Sequence, residues 1–130
     1  MTPESKRALD KARTCLNKAR IIFSTGLGDE AGRSAYLAAF HAARAFIFDV
    51  TRKPIKSHKG VQTLFYDLAR NHPAIPDEFL PFLSRAYHLK AVADYEEGEG
   101  AMVPLDKAAE AIETAALFIE CIAGVLTNEE

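Results

Sequence analysis

A chain of 130 residues, 48% hydrophobic and 26% charged, can bury one core, and its length argues against two domains. A single domain over residues 1–130, with its core over about 5–125, is expected. No apolar run approaches the roughly 20 residues of a membrane span, and the opening MTPESKRALDKAR is too polar for a secretory leader, so a cytoplasmic protein without membrane association is expected.

Apolar residues recur at steps of three and four rather than two, which predicts an all-α fold, a single up-down bundle of about five helices. Helix 1 is expected over about residues 4–24, with Leu9, Ala12, Leu16, Ala19 and Phe23 on one face and basic residues on both flanks. STGLGDE ends it, and Asp29 is the expected cap of helix 2, which runs to about Val50 before Pro54 breaks the pattern. Ser57 is the expected cap of helix 3, which should bury Val61, Leu64, Phe65 and Leu68 until NHPAIP closes it. Helix 4 is expected from Asp77 to Tyr95. The EEGEGAMVP loop then leads to helix 5, where Leu105, Ala109, Ile112, Ala116, Ile119, Ala123 and Leu126 form a bundle seam. Cys15 and Cys121 sit among apolar neighbours and read as buried free thiols; neither has a second ligand at zinc spacing.

Net charge is −2, but residues 1–60 carry 12 Lys and Arg against 5 Asp and Glu, whereas residues 61–130 carry 4 against 13. Such halves either neutralise each other on folding or offer a basic face to an anion and an acidic face to a basic partner. Helix 2 concentrates the question. At 100° per residue, Ala31, Ala35, Ala38, Ala42 and Ala45 form a flat strip, Tyr36, Phe40, Ala43 and Ile47 lie opposite, and Arg33, Leu37, His41, Arg44 and Phe48 share a third face. That third face meets either solvent or a partner such as a second copy. On helix 4 the same projection sets Lys90 in the apolar face and Asp94 one turn on, a pair or an anion site, with Ser84, His88 and Tyr95 on the other side. His58, beside Lys59 and Gly60 at a helix start, lies where unpaired amides favour an anion.

RSAYLAAFHAARAF, then SHKGV after a short basic loop, then ADY at the end of the following helix resemble the HEPN domain family, in its small stand-alone prokaryotic branch, over about residues 5–125. The resemblance implies a helical bundle, a homodimer, and a module in which a minimal nucleotidyltransferase accompanies the HEPN protein. It also implies toxins that cut RNA without metal through Arg and His at Arg-x4-6-His spacing. Here Lys90 stands where the arginine would fall and Tyr95 where the histidine would. Lysine can hold phosphorane charge, but a phenol of pKa near 10 is a poor general base at neutral pH. The one literal match to the spacing, Arg52 to His58, lies in a Pro-containing loop.

These residues define two classes of function. One is a component of a toxin–antitoxin or nucleotidyltransferase-associated module that binds RNA or nucleotide through Arg33, Arg44, Lys59 and Lys90, with His41, His58 and Lys90 as the candidate catalytic groups of a metal-free ribonuclease. The other is a non-catalytic interaction module for a nucleotidyltransferase or a small anionic ligand, in which Asp94 and Tyr95 serve as an interface or as a modification site. No cofactor and no metal is expected in either.

Overall fold

Thr2 starts the first helix: its side chain accepts from the amide of Ser5, and Pro3, with no N–H to lose, occupies the first turn. The computed structural model describes residues 1–95 and 103–128, and these form five α-helices and one short 3₁₀ helix, with no strand among them. The helices are α1 (Pro3–Ser24), α2 (Gly28–Thr51), α3 (His58–Ala69), α4 (Phe82–Tyr95) and α5 (Leu105–Asn128). The all-helical, five-helix expectation holds.

α2 is the centre, packed against each of the other four helices. Its alanine strip explains how. Ala31, Ala35, Ala38, Ala42 and Ala45 are fully buried, and with no side chain beyond Cβ they let α1 approach closely enough for Ser5, at the start of α1, to donate to the carbonyl of Ala45 at 3.1 Å. This bond also makes α1 and α2 antiparallel. On the opposite side, Tyr36, Phe40, Ala43 and Ile47 are buried too, while Arg33, Leu37, His41, Arg44 and Phe48 remain partly exposed. Phe118 of α5 anchors the other end of the core, in ring contact with Phe65 of α3, Phe82 of α4, and Phe79 of the 3₁₀ helix Asp77–Phe79.

Three details differ from the sequence reading. Asp29 lies inside α2 and does not cap it; its carboxylate accepts instead from the amide of Val103, tying the start of α2 to the approach to α5. Helix 4 is not continuous from Asp77. Pro81 has no amide proton to donate to the Asp77 carbonyl, which is instead taken by the Leu80 amide, so a 3₁₀ turn precedes α4 proper although Leu80 keeps helical backbone. The α5 seam is wider than a heptad stripe: Ala108, Ala111, Ala115, Phe118, Ile122 and Val125 are buried beside Ile112, Ile119 and Leu126, whereas Leu105 is 45% exposed. α5 packs on both α1 and α2, and two neighbours require a broader face than one. Ser57 does cap α3, accepting from Gly60 at 3.0 Å. Cys15 is buried and Cys121 half-buried, and both thiols are free. Most of the EEGEGAMVP loop lies outside the described residues.

Part of the charge asymmetry is resolved internally. Arg13 and Arg20 on one flank of α1 reach Glu120 and Glu113 of α5 at 3.3 and 3.6 Å, all on the exposed surface. Among the described residues, Arg7, Lys11 and Lys18 on the other flank make no such pairing with α5.

Candidate functional site

Three helices deliver charged and polar groups to one mouth. α2 supplies Arg33, the first turn of α3 supplies His58, and the last turns of α4 supply Lys90, Asp94 and Tyr95. Asp94 bridges two cations, one per carboxylate oxygen: Arg33 Nε donates to Oδ1 at 2.8 Å and Lys90 Nζ to Oδ2 at 2.6 Å. Lys90 is 8% exposed, on the apolar face that the helical projection assigned it. The bond from Lys90 and the field of Arg33 hold the Asp94 carboxyl below its ordinary range, and Asp94 in turn raises the Lys90 ammonium against the opposing effect of burial. Both therefore stay charged near neutral pH.

Tyr95 does not stay on the other side of α4. At the helix end its ring, 71% exposed, turns back until Lys90 Nζ is 5.3 Å from its centroid; Tyr87 lies at 5.9 Å from the same ammonium. Ser84 and His88 do remain on the exposed side of α4.

His58 is set in a wall of rings, its centroid 4.5 Å from Phe40 and 5.5 Å from both Tyr36 and Tyr87. Its Nδ1 is 2.7 Å from the fully buried phenol of Tyr36. Burial pushes the Tyr36 hydroxyl up to about 12 against the lowering effect of Gln62, so it keeps its proton. When that phenol donates to Nδ1, the imidazole proton sits on Nε2. Burial first, then Lys90 and Arg33, lower the His58 pKa, so the ring is neutral at pH 7. Lys59 is exposed beside it. The Gly60 amide is taken by Ser57, leaving less of the α3 start open to an anion than its sequence implies.

His41 and Arg44 form a separate group two to three turns along α2. Arg44 Nε donates to the Ile55 carbonyl at 3.1 Å, and Nη1 is 3.2 Å from His41 Nδ1. Desolvation, then Arg44 and Lys11, depress His41 to about 4. It is thus a neutral acceptor that orients the guanidinium. Of the candidate catalytic trio, His58 and Lys90 share the mouth, while His41 is bonded to Arg44; Phe40 packs on both histidine rings, and His58 is close enough to add to the depression of the His41 pKa.

Sequence reasoning missed Tyr36, Tyr87 and Gln62. A phenol on a buried helix face needs a hydrogen-bond partner, and that was the available signal for Tyr36. Among the described residues no group of three or more His, Cys, Asp or Glu is arranged to hold a metal ion, and no helix is long and apolar enough to cross a membrane. A groove of about 810 Å³ between α4 and α5 is floored by Phe79, Phe82, Leu89 and Val92 and shares no residue with the mouth.

Comparisons with known proteins accord with this architecture. Residues 5–125 match the HEPN domain family. A UPF0332 protein of Archaeoglobus fulgidus is 30% identical over 117 residues, covering 90% of both chains. A protein of Methanocaldococcus jannaschii described as a candidate toxin is 29% identical over 120 residues, covering 92% of this chain and 86% of that one. The crystal structure of TT1696 from Thermus thermophilus superposes with a TM-score of 0.77 at 17% identity, covering 95% of this chain and 98% of the other, which shows a shared fold.

Proposed function

The chain belongs to the HEPN domain family, and on that premise we propose that it is the RNA- or nucleotide-binding component of a toxin–antitoxin type module, taking a phosphate at the mouth formed by Arg33, His58 and Lys90. The observation that carries this reading is the convergence of two cations from two helices, Arg33 and Lys90, onto one carboxylate, Asp94, beside the neutral imidazole of His58, which is anchored on Tyr36. A phosphate offers the same charge and the same paired oxygens as Asp94, so it can replace that carboxylate on Arg33 and Lys90 while accepting from His58 Nε2.

The chemistry of the mouth favours binding over cleavage. Metal-free hydrolysis needs a base for the attacking 2′-hydroxyl. In this reading His58 carries its proton on Nε2 and faces the mouth as a donor, and a phenol is a weak base at pH 7. The resemblance to a candidate toxin supports the module. A second copy of the chain and a minimal nucleotidyltransferase are the protein partners in this reading, on the strength of the family alone.

The test is fluorescence anisotropy with labelled single-stranded RNA and with ATP, in EDTA, for the native protein and for Arg33→Ala/Lys90→Ala. Binding that the double variant loses, with the RNA left intact, is the expected result. Absence of binding to either probe overturns the proposal. Cleavage in EDTA that His58→Ala abolishes would replace it with a ribonuclease.

A further inference from the structure

Resting on that reading, we infer that the mouth is one end of a longer track for single-stranded nucleic acid, and that a second phosphate subsite lies at its other end, where Lys11 and Arg44 flank a groove of about 290 Å³. Arg33 and Arg44 are eleven residues apart on α2, which returns them to the same face and separates them by about 16 Å along the axis. Between them run Leu37 and His41, and Phe48 follows one turn beyond Arg44; all are partly exposed. α1 borders this strip with exposed Lys11 and Lys18, two turns apart; Cys15, buried between them on α1, has Lys11, Lys18 and Arg33 as its charged neighbours.

The far groove has the two parts that a nucleotide requires. Its cations are uncommitted: among the described residues no carboxylate lies within 4 Å of Lys11 or Arg44. Arg44 uses one donor on the Ile55 carbonyl and one on His41, which leaves the rest of its five N–H groups for an anion and fixes the plane in which they point. Phe48, Pro54 and Ile55 form an apolar wall next to these cations, a surface on which a base can stack. Of the residues named along the strip and at its ends, only Asp94 in the mouth and Glu4 at the far rim are acidic, the latter 3.8 Å from Arg7. A strip of cations alternating with ring and aliphatic surface suits a phosphodiester chain with bases better than an acidic peptide, which has no rings to stack.

The experiment measures affinity against RNA length and salt, for the native protein, Lys11→Ala/Arg44→Gln, Lys11→Glu alone, and Arg33→Ala/Lys90→Ala. Lys11 is exposed, so its reversal tests the far subsite without touching the core, and thermal melts confirm folding of the others. The expected result is that an oligonucleotide of about a dozen residues binds the far-end variants about tenfold more weakly, with a salt slope smaller by about 0.7 for the one phosphate lost in the double variant. A dinucleotide, which occupies only the mouth, binds these variants as it binds the native protein. Unchanged binding of the long RNA in the far-end variants overturns the track while leaving the mouth in place. Failure of the native protein to bind RNA of any length overturns the mouth itself. Polyglutamate of matched charge binding as tightly as RNA would assign the strip to an acidic protein instead.

Discussion

Lys90 Nζ lies 2.6 Å from Asp94 Oδ2, one turn along α4, with the lysine side chain 10% and the aspartate side chain 22% exposed. A lysine this deep in an apolar face is tolerable because the carboxylate sits at the solvent edge, neutralising it where water still reaches. In the proposed phosphate site, Asp94 takes the place that the anion would occupy.

Asp94→Asn is therefore expected to tighten RNA binding by about 1 kcal/mol, close to fivefold, because one repulsive charge is removed next to the incoming anion. Anisotropy at fixed low salt checks it. Weaker binding in the variant would mean that Asp94 positions Arg33 and Lys90 rather than competing for them.

Acid stability should carry the signature of the same carboxyl. Its folded pKa lies below the ordinary 3.8, so its contribution is complete above that value and disappears as pH falls through the lower, folded value. Urea midpoints measured from pH 5 downward should fall more steeply in the native protein than in Asp94→Asn.

His41 acts in a different window. Its pKa falls from 6.5 unfolded to about 4 folded, so the neutral ring stabilises the fold fully above pH 6.5, and up to about 3 kcal/mol is lost as pH drops from 6.5 to about 4. His41→Gln retains an acceptor for Arg44 and removes the titration. Its unfolding free energy should be flatter over that range, and an equal slope in both proteins would refute the assignment.

Tyr36→Phe removes a buried hydroxyl bonded to His58, at an expected cost of about 1–2 kcal/mol. The proton of His58 is then no longer confined to Nε2. Nitrogen chemical shifts of the imidazole should show an Nε2–H tautomer in the native protein and a mixture in the variant.

Ala42→Leu places a larger side chain in the strip across which α1 and α2 meet, where Ala42 is fully buried. Overpacking there should cost about 1–3 kcal/mol, read from denaturant unfolding. Leu37→Ala, on the partly exposed face of the same helix, should cost less.

The sequence by itself determined the helical class and placed Lys90 and Asp94 within reach of each other, because each depends on periodicity within one helix: apolar residues at three- and four-residue steps, or charges one turn apart. Ser57 capping α3 was legible for the same local reason. The tertiary structure decided what required two elements to meet. Arg33 joins Asp94 across 61 positions and Asp29 reaches Val103 across 74, and no local rule encodes such distances. The division of the histidines arose likewise: His58 found Tyr36 on another helix, whereas His41 kept its neighbour Arg44 one turn away. Periodicity specifies which face a residue occupies; which face it meets is settled only when burying all the apolar stripes at once selects one packing of the helices.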